Sequence, residues 1–199
     1  EAAEGRPAAV RSLLQRLAAA ERAGDPALAI NAIEKLRDRP DAADLDDALA
    51  RRLGSLDLAL LLSSRPTTWT TTDSLGAGDT LPRLAREHGT TVAAVLKMNG
   101  IADARRIRAG RPLRVLEHPR FALVLHRRTL IADLSLNGKF FRRYDVNAGA
   151  ETKTGAYKIT REEGTRSLLR RLGARLSDAD LAELEMLMPP GASFLVTDP

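Results

Sequence analysis

The sequence predicts an α+β, multidomain chain. A helical N-terminal region covers residues 1–63, a βααβ module 64–117, and a mainly β domain, incomplete at its centre, 118–199. Three observations predict this. Apolar residues recur at helical spacing up to residue 62. Two short amphipathic segments follow, each closed by a glycine. From Arg120 onward the apolar period becomes that of strands.

In the first region, Val10, Leu13, Leu14 and Leu17 share one helical face, and Gly24-Asp25-Pro26 stops that helix and starts another. Leu28, Ala29, Ile30, Ile33 and Leu36 are expected to form the apolar side of the second. Arg39-Pro40-Asp41 marks the next break, and a third helix runs through Leu45, Ala48, Leu49, Leu53, Leu56 and Leu60. This predicts a small helical bundle or repeat-like hairpin. A helical-repeat period has no second copy to support it. The region carries no catalytic pattern and is expected to act as a spacer or to meet a protein partner.

Ser63 to Thr68 reads as a linker. In the module, Gly78 supplies a turn, Thr80 is placed to cap a helix with its hydroxyl, and Pro82 suits the first helical turn. Leu81, Leu84, Ala85 and His88 share a face, and Gly89 ends the helix. Thr90 or Thr91 caps a second helix with Val92, Val95 and Leu96 on one face, which Gly100 ends. Leu113 and Val115 alternate around Arg114 as in a half-buried strand.

This stretch, from Gly78-Asp79-Thr80-Leu81 through Asn99-Gly100-Ile101 to Leu113-Arg114-Val115, resembles the lysin motif (LysM). The resemblance implies a βααβ module that grips N-acetylglucosamine-containing polymers. It places the sugar groove between Gly78, Asp79 and Thr80 on one side and Asn99, Gly100 and Ile101 on the other. Gly78 and Gly100 also serve as turn residues and Thr80 as a cap. Where the family opens with an aromatic and a β-branched residue, this chain has Asp73-Ser74-Leu75, with Trp69 upstream, so the first strand is expected to be shifted or weak.

In the third region Phe121, Leu123 and Leu125 alternate with Ala122, Val124 and His126. Arg127-Arg128 makes a turn, and Thr129 to Leu136 forms the next strand. Asn137-Gly138 is a strong hairpin signal, because both residues tolerate the positive φ of a type I′ turn. Phe140 to Val146 returns. Gly149 and a polar loop lead to a strand through Thr154-Gly155-Ala156-Tyr157-Lys158-Ile159. Ser177 with Asp180 forms a capping box for a helix carrying Leu181, Leu184 and Leu187 on one side. Pro189-Pro190-Gly191 ends that helix, and Ala192 to Val196 is a closing strand.

This order of strands, with Asn137-Gly138-Lys139 and the Thr154 to Ile159 segment, resembles the opening of the L,D-transpeptidase catalytic domain. The resemblance implies acyl transfer from a peptidoglycan stem peptide through a cysteine thioester, with a histidine base and backbone donors for the oxyanion. The chain has no cysteine. Gly173, Ala174 and Arg175 stand as a remnant of the motif, with Ala174 at the nucleophile's place when aligned on Gly173. Arg175 either marks the old site or pairs with Asp178 or Asp180. Between Ile159 and Gly173 the chain is far shorter than the family's. A degenerate relative, an engineered deletion and a sequence lacking segments of a longer protein all remain open.

The absence of cysteine excludes disulfides, zinc–thiolate sites and thiol nucleophiles. His88, His118 and His126 are isolated, so no metal and no cofactor is expected, and His88 is expected to pack or cap. Net charge is +5, mostly arginine, which favours an anionic polymer. With aromatics at 4%, base-stacking platforms and hence nucleic acid are not expected. No apolar run reaches the ~20 residues of a membrane span. The chain begins at Glu1 without methionine, as expected of a processed or trimmed product lacking its signal segment.

Two functions follow as expectations. One is a cell-wall binding and remodelling protein of the LysM and L,D-transpeptidase type, located in the bacterial periplasm or cell wall. The other is a non-catalytic peptidoglycan-binding or scaffold protein with a degenerate transpeptidase domain. Both take peptidoglycan, its glycan and its stem peptides, as partner.

Overall fold

The computed structural model describes residues 5–149 and 152–198. Part of the polar loop after Gly149 lies outside the described residues. The chain divides into two compact units, Glu1–Leu60 and Leu61–Pro199. The second unit therefore holds both the module and the β domain.

The first unit begins with helix α1, Ala8–Ala23. Gly24 closes it in the left-handed conformation, φ 64°. The Asp25 carboxylate accepts from the amides of Ala27 and Leu28 and so caps α2, Pro26–Arg37. A 3-10 turn, Pro40–Leu45, leads into α3, Asp46–Leu62. Val10, Ala20, Ala29, Ala32, Ile33, Leu36, Leu49, Ala50 and Leu53 form the core. Leu28 does not join it. It is 60% exposed, because the buried stripe of α2 is Ala29, Ala32, Ile33 and Leu36, at i, i+3, i+4 and i+7. Arg52 pairs with Glu21 at 2.8 Å and ties α3 to α1.

The second unit opens with the module. Strand β1, Thr70–Ser74, pairs antiparallel with β2, Pro112–Leu116, from Thr70 opposite Leu116 to Ser74 opposite Pro112. The first strand is therefore fully paired, although it is polar and lies upstream of the family's expected position. Leu75, just past its end, supplies the apolar anchor that the strand itself lacks. Helices α4, Leu81–Glu87, and α5, Val92–Met98, lie between the two strands in sequence. Leu75, Leu81, Leu84, Ala85, Val95, Leu113 and Val115 form one buried cluster.

The β domain follows. β3, Phe121–His126, β4, Ile131–Leu136, and β5, Lys139–Asp145, make an antiparallel meander. Asn137 and Gly138 turn between β4 and β5 at φ 54° and 81°, as the type I′ reading requires. β6 is Asn147–Ala148 and β7 is Gly155–Lys158. Helix α6, Thr165–Arg171, fills the short stretch between Ile159 and Gly173, and its Leu168 and Leu169 are buried. β8, Ala174–Arg175, pairs with β6. Helix α7, Asp178–Leu187, is capped by Ser177, whose hydroxyl accepts from the Asp180 amide.

The last strand, β9, Ser193–Thr197, enters the main sheet between β3 and β7, in the order β5-β4-β3-β9-β7. It runs parallel to β3 and antiparallel to β7. Phe121, Leu123, Leu125, Leu134, Phe141, Tyr144, Phe194 and Val196 fill the core. The Trp69 ring meets Phe141 edge-on, with centroids 5.7 Å apart, so the residue ahead of β1 packs the module against the β domain.

Candidate glycan-binding site

Two loops carry the residues to which the lysin-motif resemblance assigns sugar binding. The first, from Gly76 to Thr80, is bracketed by Leu75 and Leu81, both buried in the module core. The second follows α5, and its Ile101 packs on the same core. Both loops are thus anchored on one hydrophobic cluster.

The first loop closes on itself. Asp79 accepts from the Gly76 amide at 3.0 Å, and its own amide donates to the Gly76 carbonyl at 3.2 Å. Its other oxygen takes Arg83 at 3.1 Å. Asp79 is thereby a loop-closing residue, and a side chain at Gly76 would meet its carboxylate at 2.9 Å. Gly78 turns at φ 84° with open space where a side chain would stand.

Thr80 sits at the N-cap of α4 with extended backbone, yet its hydroxyl makes no capping bond. The expected cap is not formed, and the exposed hydroxyl is left to solvent. The cap of α5 is Thr91, whose hydroxyl accepts from the Ala94 amide at 2.9 Å and donates to the Met186 carbonyl of α7.

Asn99 is committed to the fold. Its amide nitrogen donates to the carbonyls of Val95 and Arg114, each at 2.7 Å, and its oxygen accepts from the Arg114 amide at 2.8 Å. Gly100, at φ 61°, and the Ile101 amide, bonded to the Leu96 carbonyl at 2.9 Å, complete a Schellman-type end to α5. The Thr80 hydroxyl and the backbone around Gly78 and Gly100 are thus left open. Asn99 and Asp79 hold the walls in shape.

A pair that sequence order conceals lies behind β1. His88 ends α4, and its Nε2 meets Asp73 of β1 at 2.7 Å. That bond holds the Asp73 carboxyl below the usual carboxylate range. No metal-binding cluster forms among the described residues.

The transpeptidase-like remnant is placed as follows. Ala174 is buried in β8, Gly173 turns at φ 70°, and Arg175 is exposed opposite Asn147. Arg175 pairs with neither Asp178 nor Asp180, and Asp180 instead takes the Ser177 hydroxyl at 2.7 Å. Three of the four arginines in the basic pairs of the β domain have acidic partners. Arg127 pairs with Asp198, Arg142 with Glu183, and Arg143 with Asp133. No described helix is long and apolar enough to cross a membrane.

Residues 76–115 match the LysM domain family, from the loop that Asp79 closes to the next-to-last residue of β2. No curated protein matches the chain. The LysM match points to peptidoglycan or chitin-type glycan binding, and such domains usually occur in extracellular or cell-wall proteins. The chain contains a LysM domain at residues 76–115.

Proposed function

We propose that this protein docks on the peptidoglycan of a bacterial envelope through its LysM domain, and that its β domain is a non-catalytic body of L,D-transpeptidase-like ancestry. The observation that carries the reading is a LysM match over a module whose core and strand pairing are complete, with an exposed Thr80 hydroxyl beside an open Gly78. Glycan binding of this kind needs shape, backbone donors and hydroxyls, and no titratable nucleophile. The chain contains no cysteine, so the thioester chemistry of intact transpeptidases has no nucleophile in it.

The sugar is held between Gly78, Asp79 and Thr80 and the loop of Asn99, Gly100 and Ile101. The N-terminal helices are left for a protein partner. Sedimentation with purified sacculi tests the reading, alongside titration with an N-acetylglucosamine tetramer. Retention on sacculi that falls several-fold in Thr80→Val supports it. A protein that stays in the supernatant, or a tetramer that gives no heat and shifts no amide signal, removes it.

A further inference from the structure

A cleft of about 530 Å³ lies between the LysM domain and the β domain. Its walls are apolar. Pro82 of the first turn of α4 and Val92 of α5 form one side, and Pro189 and Pro190 after α7 form the other. Its polar side chains are two arginines, Arg86 and Arg161, and two threonines, Thr90 and Thr91.

The fold builds this cleft from fixed parts. Thr91 bonds the Met186 carbonyl, which holds the start of α5 against α7. The Ile159 amide donates to Ala192 at 3.0 Å, and Gly191 donates back to Ile159 at 2.7 Å. Those two bonds set the Arg161 turn beside Pro189 and Pro190. Thr90 is 6% exposed, and its hydroxyl has no partner within the protein. Arg86 and Arg161 form no ion pair among the described residues. Arg83, on the same helix as Arg86, by contrast pairs with Glu87 at 2.8 Å, and Arg171 of α6 pairs with Glu163 at 2.6 Å.

We propose that this cleft binds a short, carboxylate-bearing peptide, the branch carried by a peptide-substituted glycan whose sugar lies on the neighbouring LysM loops. The second part rests on the glycan-binding reading above. A guanidinium fork matches a carboxylate in geometry and charge. Proline and valine walls suit a ligand with small apolar side chains. With two guanidinium groups as its only charged side chains, the cleft favours an anionic ligand over a neutral sugar. Two cations are too few for a phosphodiester chain. The site is continuous with the glycan loops, because Thr80 of the first loop is separated from Pro82 of the cleft wall by Leu81 alone.

The experiment uses the full chain, labelled with nitrogen-15 and titrated with three probes. These are the peptide L-Ala–D-isoGlu–L-Lys–D-Ala, the same peptide with both carboxyls amidated, and the N-acetylglucosamine tetramer. The peptide is expected to shift the amide signals of Thr90, Val92 and Arg161, and the tetramer those of residues 76–80 and 100–101. The double variant Arg86→Ala/Arg161→Ala is expected to weaken the peptide about fivefold or more and to leave the tetramer unchanged. Thr90→Val is expected to weaken the peptide without unfolding the domain.

A peptide that moves no cleft signal while the tetramer still binds overturns the cleft and spares the glycan reading. Equal binding of the amidated peptide, or an undiminished affinity in the arginine double variant, overturns the carboxylate assignment. A bound peptide beside an inert tetramer overturns the glycan reading and the branched ligand together.

Discussion

The side-chain amide of Asn99 pairs with both backbone groups of Arg114, donating to its carbonyl at 2.7 Å and accepting from its N–H at 2.8 Å. The side chain acts as one more strand residue on the free side of β2 and fastens the end of α5 to it. Replacement by aspartate would face a carboxylate toward the carbonyls of Val95 and Arg114. Asn99→Asp and Asn99→Ala should each cost about 2–3 kcal/mol, read as a lowered urea midpoint with an unchanged slope. Any loss of glycan binding in these variants follows the loss of fold.

Thr80 is the cleaner probe of the sugar site. Its hydroxyl does no capping, so Thr80→Val should change stability by less than about 0.5 kcal/mol while reducing glycan retention several-fold. The contrasting variant is Thr91→Val. It loses a real cap and the Met186 contact, and should cost about 1–2 kcal/mol. A Thr80→Val protein as unstable as Thr91→Val would show that the assignment of the cap is mistaken.

Asp57 is 5% exposed within α3, and burial, aided by the charge of Glu34, pushes its carboxyl up to about 7. The folded value lies above the unfolded one, so the native state holds the proton more tightly. The resulting penalty is absent below the unfolded value near 4, grows as pH rises through 7, and is complete above it. Asp57→Asn should therefore stabilise the protein at pH 8 by on the order of 2 kcal/mol and change little at pH 4. Denaturant midpoints at the two pH values decide the matter.

Tyr144 donates its hydroxyl to Glu183 at 2.8 Å, and Arg142 reaches the same carboxylate at 2.9 Å. The pair ties β5 to α7. Burial, then the Glu183 charge, raises the Tyr144 hydroxyl far above its usual range. Stability should thus decline above about pH 10, where only the unfolded chain ionises this tyrosine. Tyr144→Phe should cost about 1 kcal/mol and remove part of that alkaline decline. Glu183→Leu, which strands both partners, should cost about 3 kcal/mol. Thermal melts across pH 7 to 11 provide the measurement.

Local patterns carried much of this fold. The helix break at Gly24-Asp25-Pro26, the Asn137-Gly138 turn, the alternation of Phe121 to Leu125 and the cap at Ser177 each express their physics within a few residues. What stayed hidden depends on partners distant in sequence. Helix α6 has only two adjacent leucines in a single short stretch, too few for a period. Leu28 looked apolar enough to be buried until the stripe of α2 fixed which face turned inward. For the candidate site, the loops were legible and the roles within them were not. Nothing near Asn99 or Asp79 announces that Arg114 and Gly76 will consume their polar atoms. The cleft of Arg86 and Arg161 forms only when the turn after β7 meets the turn between α4 and α5.

The placement of β9 has a consequence for biosynthesis. On the ribosome, β3, β4 and β5 emerge early and can form their meander, but β7 has no neighbour until Ser193 to Thr197 have been made. The pairing of Ala122 with Ser193 then spans most of the domain. Contacts so far apart form slowly and leave an open strand edge while they wait. The LysM segment is translated well before that point. A nascent chain halted ahead of Ser193 should thus carry a complete LysM domain in front of an unassembled sheet, the stage at which a chaperone would find it.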